Sequence, residues 1–191
     1  MRKVPRYLAY LVVANNLGRL ATLAMATLLL SSCASMSKEQ CLTANWLDQG
    51  FRDGRTGQPL SRLEDHRAAC AKVPVIPDDN LYIEGREQGI LLYCTPENAL
   101  QEGVQGRPYR DACPAELEHA FLLAYNKGKQ VYKAEQQVEQ LNSQSRQLEQ
   151  SLVREDDKNQ RRYLRRQLRE LDWELQRARD EYRYLERQLR D

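Results

Sequence analysis

The sequence predicts a mainly α protein: a small disulfide-stapled helical domain followed by a long coiled-coil helical hairpin. Three observations carry that prediction. Four of the five cysteines lie between residues 41 and 113, at the ends of short amphipathic stretches. From residue 129 onward the chain contains neither glycine nor proline, the two residues that most strongly interrupt helices. Along that same span apolar residues recur at alternating spacings of three and four, the signature of a helix seam.

The N-terminus fixes how many cysteines are left to the folded domain. Residues 1–32 contain Arg2, Lys3, Arg6 and Arg19 and no acid, then the apolar run "LATLAMATLLL", then small residues, which is the layout of a secretion signal. A run of eleven residues is too short for the ~20 that a transmembrane helix needs. Leu30-Ser31-Ser32-Cys33 resembles the lipobox of bacterial lipoproteins, in which the cysteine is acylated and becomes the first residue of the mature chain. Two or more acyl chains give stable membrane attachment where one gives only marginal binding. Cys33 is therefore the expected lipidation site, and Ala34 after it resembles the sorting pattern of outer-membrane lipoproteins. Removing the signal leaves 25 Lys plus Arg against 27 Asp plus Glu, so the basic balance of the full chain is no argument for a nucleic-acid partner.

With Cys33 assigned to lipid, Cys41, Cys70, Cys94 and Cys113 remain, an even set that reads in an oxidising compartment as two disulfides. Residues 33–40 form the expected lipidated tether and residues 41–128 the disulfide-bonded domain. Within it, "LTANWLDQGFRDG" reads as a helix capped by Thr43 and ended by Gly54. Ser61 and Glu64 have capping-box spacing for a second helix that ends near Cys70. An antiparallel pairing of those two helices would bring Cys41 beside Cys70. A third helix, capped by Asp78 or Asp79, ends at Cys94 before Thr95-Pro96. A Gly-rich loop then leads to Cys113, with Pro114 as the first residue of the next helix. The expected pairing is Cys41 with Cys70 and Cys94 with Cys113.

A weak internal repeat is visible as well. Gly50 and Gly54, Gly85 and Gly89, and Ala124 and Gly128 each place small residues four apart, on one helix face, with aromatics nearby. Gly85 falls in mid-helix, where glycine costs ~1 kcal/mol relative to alanine, so a packing role is expected there. The segments "CLTANWLDQGFRDGRTGQPLSRLEDHRAAC", "YIEGREQGILLYC" and "YRDACPAELEHAFLLAYNKGKQVY" together resemble a family of uncharacterised proteobacterial lipoproteins, classified only as a domain of unknown function. The likeness covers about residues 39 to 132 and includes the four cysteines, the G-x-x-x-G helix and the C-P helix start. It implies an envelope location and carries over no catalytic residues.

Residues 129–191 form the expected hairpin. One seam runs through Val131, Ala134, Val138, Leu141, Ser145, Leu148 and Leu152. The other runs through Leu164, Leu168, Leu171, Leu175, Ala178, Tyr182, Leu185 and Leu189. The registers are out of phase by two residues, a shift that a continuous coiled coil does not absorb. A turn at "REDDKN" resolves the conflict, with one helix from about 114 to 153 and a second from about 157 to 190. Just past that turn Lys158, Arg161, Arg162, Arg165, Arg166 and Arg169 occur without an intervening acid and form a candidate interaction surface for an anionic or acidic partner.

Catalytic chemistry has little to build on. His66 and Cys70 have metal-ligand spacing, but Cys70 is needed for a disulfide and nothing completes a site. His119 reads as an exposed histidine, and no H-E-x-x-H, G-x-S-x-G or phosphate-loop motif occurs. The expectation is a non-catalytic cell-envelope lipoprotein without cofactor or metal, lipid-anchored in the outer membrane facing the periplasm. It would act as a structural or protein-interaction factor, with an envelope protein or its own copy as partner and no nucleic acid. The alternative is a periplasmic inhibitor or stress-response binding protein that acts through the cysteine-rich domain.

Overall fold

A computed structural model describes residues 35–190. The expected signal peptide and Cys33 lie outside the described residues. Among those described, the chain forms seven helices: α1 (Lys38–Leu42), α2 (Trp46–Arg55), α3 (Arg62–Cys70), α4 (Asp79–Tyr93), α5 (Pro96–Val104), α6 (Ala115–Arg154) and α7 (Lys158–Gln188). None of them is long and apolar enough to cross a membrane.

Local chemistry sets most of the helix starts. Asn45 caps α2 by accepting from the Asp48 amide, Asp78 caps α4 through Leu81, and Thr95 caps α5 through Asn98. Several expectations need correction here. The expected tether already belongs to the domain: Ser37 and Gln40 form a reciprocal capping box that starts α1, and Met36 is buried. Thr43 ends α1 rather than starting the next helix. Ser61 makes no side-chain cap, because the Pro59 and Leu60 carbonyls already accept from Arg62 and Leu63 in the turn that leads into α3. The Gly-rich stretch before Cys113 contains α5, which begins at Pro96, a residue whose missing N–H is no loss in the first turn. Pro114 stands one position earlier than expected, at the N-cap of α6.

Helix pairing is also different. Helix α2 packs not on α3 but on α4, and the two run parallel, since Leu47 O lies against Gly85 and Phe51 O against Gly89. Backbone meets backbone along this seam: a Cβ on Gly50 would lie 2.0 Å from Tyr82 O, and one on Gly54 2.3 Å from Arg86 O. Gly54 therefore serves close approach rather than termination. The terminator is Gly57, at φ 64°, whose N–H bonds Gly54 O while the Gln58 N–H bonds Asp53 O.

The α5/α6 pair repeats this arrangement element by element. A Cβ on Gly103 would lie 2.2 Å from Tyr125 O, and one on Gly128 2.4 Å from Leu100 O. Gly106, at φ 67°, closes α5 through bonds to Gly103 O and from Arg107 to Glu102 O, matching the end of α2. The sequence carries the same duplication: D-G-x-x-G-x-P at residues 53–59 answers E-G-x-x-G-x-P at residues 102–108. Likewise Tyr82, Gly85, Gly89 and Tyr93 answer Phe121, Ala124, Gly128 and Tyr132. The domain is thus two copies of one parallel helix pair, each with its own disulfide and core. Cys41 joins Cys70 and Cys94 joins Cys113, both with Cα atoms 5.6 Å apart. In the chain-entropy view each crosslink stabilises by about 3 to 4 kcal/mol.

The long C-terminal helices form the hairpin. Leu141, Leu171, Leu175 and Ala178 make its buried centre, with Val138 and Leu148 beside them, and Arg179 bonds Asn142 across the pair. Asp157 caps α7 by accepting from the Asn159 and Gln160 amides. The 40 residues of α6 make a rod about 60 Å long, rooted in the second repeat through Phe121 and Tyr125.

Candidate functional site

The first repeat holds a buried polar network. His66, on α3, is 1% exposed; its Nε2 lies 2.7 Å from Asp53 Oδ2 on α2, and its Nδ1 lies 2.8 Å from Ser35 Oγ. The Tyr82 hydroxyl on α4 donates to the same Asp53 oxygen at 2.8 Å, and Gln49 Nε2 donates to the other at 3.2 Å. Rings of Trp46 and Tyr82 flank the imidazole. Burial alone would push the Asp53 carboxyl up, but the bonds from His66, Tyr82 and Gln49 outweigh it and hold the group below its usual range. The Tyr82 hydroxyl is pushed the other way by burial and by the adjacent carboxylate.

Serine, histidine and aspartate are the residue types of a nucleophilic triad. Here the imidazole is sealed between two rings, and the carboxylate is shared with Tyr82 and Gln49, so the geometry is that of a clasp. It ties the N-terminal segment to α2, α3 and α4 at once. The second repeat builds the equivalent place from Tyr109, which lies four residues before Cys113 as His66 lies four before Cys70. Tyr109 packs on Phe121, donates to Glu118 and accepts from the Cys113 amide. No histidine or aspartate is used there.

The clasp predicts a specific acid response. Because the folded value of Asp53 lies below the unfolded one, its contribution is complete above about pH 3.9 and is lost as pH falls through the folded value. Thermal melts followed by circular dichroism should therefore show an acid-side loss of stability below about pH 4 that is shallower in Asp53→Asn. The variant should also lose about 2 kcal/mol at neutral pH, where the carboxylate no longer accepts from its donors. Equal acid slopes in both proteins would contradict the assignment.

Among the residues singled out in sequence, the four domain cysteines sit in the two repeat cores, and His119 is exposed on α6. Lys158, Arg162, Arg165, Arg166 and Arg169 are exposed near the tip of the hairpin. Arg161 is not part of that surface: its Nη1 donates to Leu152 O and Glu155 O, satisfying carbonyls at the end of α6 and closing the turn. Asp53, Tyr82 and Ser35 were not singled out by sequence reasoning. The signal that could have found Asp53 is its alignment with Glu102 in the duplicated motif.

The family comparison falls on the duplicated unit. Residues 45–130 match the model of a family described as Protein of unknown function (DUF2799). That segment runs from the cap of α2 to just past Gly128, so the DUF2799 match is coextensive with the two helix pairs and leaves the outer hairpin beyond it. No curated protein and no solved structure matches the chain.

Proposed function

We propose that the protein is a non-catalytic cell-envelope lipoprotein, anchored in the outer membrane through Cys33, whose hairpin serves structural or protein-interaction contacts. The observation that carries this reading is the hydrogen bond between His66 and Ser35. An acylated Cys33 would stand two residues before a residue already fixed in the domain, within a reach of ~7 Å. In this reading the acyl chains set the base, the clasp and Met36 remove slack from the tether, and the rod carries recognition away from the globular base. The exposed Lys158, Arg162, Arg165, Arg166 and Arg169 are the surface offered to an acidic or anionic partner, and a second copy of the chain is the other candidate for the seam flanks.

Metabolic labelling with palmitate tests the anchor. Label should enter the wild-type chain, fractionate with the outer membrane, and be lost in Cys33→Ala. Label that survives this substitution would remove the basis of the proposal. Crosslinking in cells from position 165, compared with a chain that ends at residue 130, then tests whether the rod is what reaches a partner.

A further inference from the structure

The stacking of the two repeats creates a cleft that neither repeat has alone. One wall is the helix-ending turn of the first repeat, with Arg55, and the buried Tyr93; the other is α5 and the loop after it, with Asn98, Glu102, Arg107 and Arg110. The cavity measures about 260 Å³. Arg86 and Arg110 lock the two walls: Arg86 donates to Gln58 O and Ala112 O, and Arg110 donates to the Gln58 side chain. The cleft is therefore held open by fixed structure.

Its charge is unbalanced. Arg107 is paired with Glu102 at 2.6 Å, Arg110 has only the neutral Gln58 as a side-chain partner, and Arg55 makes no ion pair among the described residues. Two guanidinium charges thus face one small space without a matching acid. The Tyr93 hydroxyl has no protein partner among the described residues, and burial together with nearby Glu102 pushes it up to about 12, so it remains a donor. Guanidinium forks match tetrahedral oxyanions in geometry, and a phosphomonoester carries about −1.5 to −2 charge at neutral pH. A single carboxylate would leave half of the cleft's charge unmet.

We infer that this inter-repeat cleft binds a phosphomonoester group, held by Arg55 and Arg110 with Tyr93 as a further donor. The duplication supplies an internal contrast. Around Tyr132, which corresponds to Tyr93, the position of Arg55 is taken by Val104, and among the described residues the chain runs on into the hairpin and not into a further helix pair that would build the second wall. Conversion to an oxyanion site belongs to the first repeat alone. The same chemistry could be presented by a soluble phosphorylated metabolite or by the terminal phosphate of a lipid headgroup. The inference stands independently of the envelope proposal.

The test uses the full-length, isotope-labelled chain in neutral detergent micelles. It is titrated with glycerol phosphate, with acetate at matched ionic strength, and with phosphatidic acid added to the micelles. Saturable amide shifts at Gly57, Asn98 and Arg107 are expected with a phosphate ligand. A response to glycerol phosphate identifies a soluble source, and one to phosphatidic acid alone identifies a lipid source. Arg55→Gln and Arg110→Gln, both exposed and spectrally checked for folding, should each weaken binding about tenfold, and Lys133→Gln on the second repeat should leave it unchanged. Absence of saturable shifts with both phosphate probes, equal binding of acetate, or undiminished binding in both arginine variants would each overturn the inference.

Discussion

Gly85→Ala is expected to destabilise the domain by about 3 kcal/mol, although helix propensity alone predicts a gain of ~1 kcal/mol from the same change. The sign reverses because of what the new methyl group would meet. A Cβ on Gly85 would lie 1.9 Å from Leu47 O and 2.8 Å from Leu47 C, which are backbone atoms of α2 rather than a side chain able to rotate away. Relief requires the two helix axes to separate, and that separation also loosens Gly50, Gly54 and Gly89, whose contacts run along the same line. A second substitution on this seam, such as Gly50→Ala, should therefore add less than its own single effect, because the axes have already moved apart. Urea titrations of oxidised protein followed by helical ellipticity measure both quantities. A Gly85→Ala protein as stable as the wild type would refute the backbone-to-backbone packing of α2 on α4.

The same glycines explain where sequence reading succeeded and where it failed. The seams of α6 and α7 were legible because leucine at three-and-four spacing has one physical use in a highly charged stretch, and a two-residue phase break needs a turn. The disulfide pairs came out as expected, but for Cys41 and Cys70 the reason was different: α2 does not pack antiparallel on α3, and Cys41 instead lies at the end of α1, which itself packs on α3. Pairing of α2 with α4 was not legible from propensity, which treats Gly54 and Gly103 only as helix breakers. Their value lies in the partner backbone, and propensity contains no partner. Thr95-Pro96 shows a related ambiguity: a cap followed by proline stops the preceding helix and starts the next one. Only the stop was apparent, so α5 was missed. The clasp was invisible for a different reason, since Ser35, Asp53, His66 and Tyr82 converge from four separate segments and share no spacing.

Leu175→Asp should release α7 from α6 while the two-repeat domain stays folded. Leu175 is 6% exposed in the middle of the hairpin seam, between Leu171 and Ala178. An aspartate there loses the apolar burial and places a carboxylate among leucines without a donor, a combined effect of at least ~3 kcal/mol. Helix α7 depends on that seam, because its packing is chiefly against α6. Its intrinsic stability is small, as isolated helices gain little from propensity alone. The expected result is an added low-temperature step in the helical melt, together with a larger distance between spin labels at positions 142 and 179, which face each other across the pair. Trp173→Asp makes the matched control: that side chain is 75% exposed, so the same new charge should change stability by no more than ~0.5 kcal/mol. If the hairpin is the element that meets a partner, Leu175→Asp will abolish capture with both disulfides intact. A variant that melts in one step at the wild-type temperature would instead show that the rod does not rely on this seam.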